Sequence, residues 1–129
     1  MTPREKQLLL RDLCARLPYG VYVDAYSWQK DTPKLLVECV PEYVGEEIVV
    51  KGLAGRHSIK EIKPYLRKLS FSNMSSDEKF EYDELRHFHT LGLNFNVDEV
   101  DWLIAHHFDY RGLIPMGLAL EAPIDMYND

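Results

Sequence analysis

The chain has 129 residues, the size of one ordinary domain, and its 46% hydrophobic and 28% charged residues supply a core without disulfide staples. A formal net charge of -6 argues against a general polyanion binder, because non-specific nucleic-acid affinity comes from neutralising phosphates. Two cysteines, Cys14 and Cys39, are too few and too far apart for a disulfide framework or a zinc knuckle, and each reads as a small buried thiol.

The first element is a helix. Thr2 and Glu5 form a capping box with Pro3 at the first helical position, and Leu9, Leu10, Leu13, Cys14 and Leu17 recur at helical spacing. Arg4, Lys6, Arg11 and Asp12 fall on its charged face, and Pro18-Tyr19-Gly20 ends it. Three strands follow: Val21, Val23 and Ala25 alternate with Tyr22, Asp24 and Tyr26; Leu35, Val37 and Cys39 alternate with Leu36, Glu38 and Val40; Ile48-Val49-Val50 is a short β-branched run. Turn-like links between them favour an antiparallel meander. One face of that sheet carries Tyr22, Tyr26 and Glu38, with Trp28 at its edge. It reads either as a half-solvated face or as a binding surface, since aromatics are enriched at interfaces.

Beyond Gly52 and Gly55, Ser58 and Glu61 look like a cap, and Pro64 interrupts any long helix. The segment from Ile59 to Leu69 therefore reads as two short helical pieces. Ser75 and Glu78 cap a helix from about Ser76 to His89, to which Phe80, Leu85 and Phe88 supply apolar contacts. Another helix runs from Asn96 to about His107, with Val97, Val100, Leu103 and Ile104 as its buried stripe and Trp102 off its centre. Leu113 to Leu120 is apolar but broken by Pro115 and Gly117, so it reads as extended, and residues 124–129 read as a loose tail.

Chemistry-bearing groups are sparse. His87 and His89, with His106, His107 and Asp109, supply the residue types that hold a divalent metal such as zinc. The helical zinc pattern is absent, however, and an H-x-H within a helix points its rings apart. No nucleophile elbow or phosphate-cradling glycine loop is present, so no catalytic residue is assigned and the reading leans away from an enzyme. A basic stretch around Lys60, Lys63 and Arg67 precedes an acidic one containing Asp77, Glu81 and Glu84. The first reads as a weak nucleic-acid contact or a solvated face, the second as a solvated face, and a further reading sets the two stretches near each other.

Two stretches carry a family likeness: IKPYLRKLS from Ile62 to Ser70, and HHFDYRGLIPMGLALEAP from His106 to Pro123, together with the opening from Thr2 to Gly20. On these the chain resembles a group of short uncharacterised proteins of gut bacteria of the Bacteroidetes type, often associated with phage or mobile elements. The resemblance covers about half of the chain and implies no activity, cofactor or site residue.

The fold class expected is α+β: a small antiparallel sheet of about three strands with four or so helices packed on it, in one domain spanning 1–129. No secretory pattern follows Met1 and no apolar run reaches the ~20 residues of a membrane span, so a cytoplasmic protein without a membrane partner is expected. The leading functional expectation is a non-enzymatic interaction or accessory protein of a bacterial or phage-derived system. It would use Tyr22, Tyr26, Trp28 and Glu38 to meet another protein or itself, with no cofactor. The alternatives are the histidine-based metal protein and the weak nucleic-acid contact.

Overall fold

A computed structural model describes residues 2–25, 34–36, 40–44, 47–51, 56–59, 62–87, 97–123 and 125–127. Among them are helices α1 (Pro3–Arg16), α2 (Ser76–His87) and α3 (Val97–Ala105). The strands are β1 (Val21–Ala25), β2 (Lys34–Leu36), β3 (Val40–Val44), β4 (Glu47–Lys51), β5 (Arg56–Ser58), β6 (Ile62–Lys68), β7 (Phe108–Asp109) and β8 (Leu120–Glu121). The class is α+β, with a mixed sheet where an antiparallel one was expected: β2-β1-β6-β7 is the main path, and β8 also pairs with β6. Both β7 and β8 run parallel to β6, while β1 runs antiparallel to β2 and β6. Strands β3, β4 and β5 form a separate three-stranded antiparallel sheet.

Local chemistry explains the ends of α1. Glu5 N–H donates to Thr2 Oγ1 at 3.1 Å and Thr2 N–H donates to Glu5 Oε1 at 2.9 Å, which satisfies two donors that a helix start leaves orphaned. The helix passes into a 3-10 turn, Leu17–Tyr19, and stops at Gly20, whose φ of 75° suits a residue without Cβ. Leu9, Leu10 and Leu13 are buried against Val21 and Val23 of β1, Ile62 and Leu66 of β6, and Ile59, Leu113, Leu118 and Ala119.

The segment read as helical, Ile59 to Leu69, is instead largely the strand β6, whose burial alternates with period two. Ile62, Pro64 and Leu66 point inward, while Lys63, Tyr65 and Arg67 are half-buried. Ile62 and Leu66 are four apart, a spacing that fits a helix stripe and one strand face alike, and a proline between them also fits a break between two short helices. Pro64 lies opposite Val23, and continuing that register would set Tyr22 against Tyr65. There the ladder is opened by a side chain. The Tyr127 hydroxyl accepts from Tyr22 N–H at 2.9 Å and donates to the Tyr65 carbonyl at 2.7 Å. Tyr127, in the segment read as a loose tail, is thus a wedge between two strands, and its burial pushes the phenol pKa up to about 12.

The charged face expected on α1 is also partly wrong. Asp12 and Arg16 are fully buried, and Arg16 Nε donates to Asp12 Oδ2 at 2.7 Å. Arg16 Nη2 also donates to the Phe108 carbonyl at 2.7 Å, tying α1 to β7. Arg111 Nε lies 3.4 Å from Asp12 Oδ1. Cys14, read as buried, is exposed. Leu113 to Leu120, read as extended, is a run of turns that enters β8 only at its end.

A second apolar cluster holds α2 and α3 together: Met74, Tyr82, Leu103 and Phe108, with Leu69, Trp102 and Tyr110 packed on it. No helix among the described residues is long and apolar enough to cross a membrane.

Candidate functional site

The chemistry of the molecule concentrates where β6 ends and α2 and α3 meet. Arg67, on the last turn of sheet before the chain leaves β6, donates to both oxygens of Glu78, Nη1 to Oε2 at 2.7 Å and Nη2 to Oε1 at 2.9 Å. It also donates to the carbonyls of His106 and Asn73, and its guanidinium lies 4.1 Å above the Phe108 ring centre. Glu78 is the reciprocal partner of the Ser75 cap: Ser75 N–H donates to its Oε1 at 2.9 Å and Glu78 N–H donates to Ser75 Oγ at 3.2 Å. The Arg67 hydrogen bonds, helped by Ser75 and His106, hold the Glu78 carboxyl down at about 2.

His106 joins this ion pair to the face of the two helices. Its Nδ1 lies 3.0 Å from Glu78 Oε2 and its Nε2 lies 3.8 Å from Glu81 Oε2. Its ring stacks on Trp102 at 4.2 Å between centres. Trp102 Nε1 donates to Glu81 Oε2 at 3.0 Å. Behind Trp102, the Tyr82 hydroxyl donates to the buried Glu99 at 3.0 Å, and Arg86 Nη1 donates to the same Glu99 oxygen at 3.1 Å. Burial of Tyr82 raises its pKa.

Two cavities flank this network. One, of about 300 Å³, lies at the ends of β6 and β8 among Arg67, Asn73, Glu78, Glu121 and Tyr127. The other is a shallow groove of about 300 Å³ between α2 and α3, lined by Glu81, Glu84, Leu85 and Trp102. Phe80, one turn before Glu84 on α2, is 66% exposed, and Val97 at the start of α3 is 75% exposed. Glu81 and Glu84, read as a solvated face, therefore line a groove, while the pairing of Arg67 with Glu78 brings the basic and acidic stretches together.

The residues singled out from sequence are distributed differently. Among the metal candidates, His106 faces Glu78 and Glu81, whereas His107 stacks on Tyr127 at 3.8 Å. Asp109 accepts the backbone N–H groups of Leu113 and Ile114, each at 2.9 Å. The structure brings these three to three different sets of partners, and among the described residues no group of three or more metal-ligating side chains is placed to hold an ion. The side chain of His87 and the whole of His89 lie outside the described residues. Of the aromatic strand face, Tyr22 is half-buried with its ring 5.5 Å from that of Tyr127. Tyr26, Trp28 and Glu38 lie outside the described residues. In the basic stretch, Lys63 pairs opposite Asp24 on β1, Lys60 lies outside the described residues, and Arg67 is engaged by Glu78 and two carbonyls. Those bonds remove Arg67 from the phosphate-contacting stripe it was read into.

Phe80 was read as a core contact of α2 and is not one. The buried side of α2 is marked by Glu78, Tyr82 and Leu85, at positions i, i+4 and i+7, and Phe80 lies two positions out of that phase. The signal was available, but only by counting Tyr82 with the apolar residues. Comparison of the chain with protein-family models, curated proteins and solved structures finds no match.

Proposed function

We propose that the protein is a non-enzymatic interaction module that docks a partner protein on the face formed by α2 and α3. The observation that carries this reading is the groove between those helices, together with Phe80, one turn before the lining residue Glu84 on α2 and 66% exposed. A large aromatic held in water by a helix that already buries Tyr82 against α3 contributes nothing to the core, and it is the residue type that anchors protein interfaces. The groove sits on two helices cross-tied by Glu81 to Trp102 and by Arg86 to Glu99, so a partner meets a preorganised surface. This face replaces the strand aromatics as the main docking surface, because Tyr22 is already committed to Tyr127.

The test compares the wild-type chain with Phe80→Ser, each immobilised and exposed to a lysate of the native host. The reading predicts a discrete partner retained by the wild type and lost by the variant, with unchanged thermal stability of the variant itself. Equal retention by both chains overturns the assignment of the face.

A further inference from the structure

Resting on that reading, we infer that the groove between α2 and α3 receives one long cationic side chain, a lysine or arginine, from a basic segment of the partner. Its two kinds of lining argue for such an occupant. Leu85 and Trp102 supply apolar wall, and Glu81 and Glu84 supply carboxylates. Lysine and arginine have that same division, an aliphatic stem that covers apolar surface and a charged head that seeks polar partners. A purely apolar side chain would desolvate the Glu84 carboxylate without compensation, and an acidic one would add repulsion.

The carboxylates are placed to serve. Glu81 spends Oε2 on Trp102, which fixes the side chain beside the indole. Glu84, one turn further along α2, is exposed and has no ion-pair partner among the described residues. Asp98 lies one turn before Trp102 on α3 and extends the negative rim. Phe80 is one turn before Glu84 on α2, so an apolar residue flanking the partner's cation would meet it. The nearby cation Arg86 is turned to Glu99 and Tyr82 rather than to Glu84, and Glu81 is met only through its Oε2, by Trp102 and His106. The chain's net charge of -6 favours approach of a basic segment at long range.

The experiment uses the full chain carrying Trp28→Phe, which leaves Trp102 as the single indole of the two in the sequence. The probes are four short capped peptides that alternate leucine with lysine, arginine, norleucine or glutamate, and the readout is Trp102 emission. The lysine and arginine peptides are expected to bind and shift the emission. Binding should weaken by about tenfold for each of Glu81→Gln and Glu84→Gln, as a charge-assisted hydrogen bond is reduced to a neutral one. It should also weaken as salt is raised. Equal binding of the norleucine peptide overturns the cationic occupant while leaving the docking face standing. Absence of binding by every peptide, with Phe80→Ser still losing the natural partner, overturns the inference alone. If Phe80→Ser retains that partner, the functional reading itself fails.

Discussion

Single side chains decide the geometry of this molecule more than its regular periodicities do. Arg67 and Glu78 are the centre: one guanidinium closes the end of β6 onto the first turn of α2, and one carboxylate serves both as helix cap and as ion-pair partner. Because the Glu78 carboxyl is held at about 2 against an ordinary 4.5, its contribution is fully present above the ordinary value and is lost as pH falls toward the lower one. Glu78→Gln keeps a side-chain oxygen for the cap but carries no charge. Its melting temperature should therefore lie below that of the wild type at neutral pH, and the gap should close as pH falls from 4.5 to about 2. Thermal melts of both chains across that range measure it, and a gap independent of pH contradicts the assigned role. His107 is a second decisive residue. It adopts a φ of 67° just beyond α3, a left-handed conformation usually left to glycine, and its ring lies on Tyr127.

Among the elements, β6 shows how far a sequence pattern reaches. The caps of α1 and α2 were legible because Thr2 with Glu5 and Ser75 with Glu78 stand at the fixed spacing that two reciprocal hydrogen bonds need. The strand β6 is not legible as such, because its inward residues also satisfy a helical spacing and its proline also fits a helix interruption. Its parallel partners β7 and β8 are two residues each, too short to leave a periodic trace. The joint between β1 and β6 depends on a tyrosine far along the chain, which no local pattern announces. Replacing Tyr127 with phenylalanine removes the hydroxyl that bonds both Tyr22 N–H and the Tyr65 carbonyl. The expected cost is about 1–3 kcal/mol, read from urea unfolding of the two chains. An unchanged midpoint would mean that the strands close up and bond directly.

For the molecule as a whole, the α+β class followed from the helix caps and the alternation of β1, whereas the candidate site did not follow from the sequence. Glu81 and Glu84 stand in a chain with 21 acidic residues, and in sequence nothing separates a rim carboxylate from a solvated one. Only the packing of α3 against α2 sets Trp102 beside Glu81 and Leu85 and turns that stretch into a groove. The buried Asp12–Arg16 pair is a similar case: Asp12 reads as part of a charged face, yet both side chains are fully buried and Arg16 bonds the Phe108 carbonyl of β7. Docking of a partner on the α2–α3 face is open to hydroxyl-radical footprinting of the protein free and bound to the partner retained by the wild-type chain. It predicts that Phe80, Leu85 and Trp102 are protected in the complex while Tyr22 and the exposed Tyr19 react as before. Protection of Tyr22 with unchanged reactivity at Phe80 and Trp102 would contradict it and return the docking surface to the strand face.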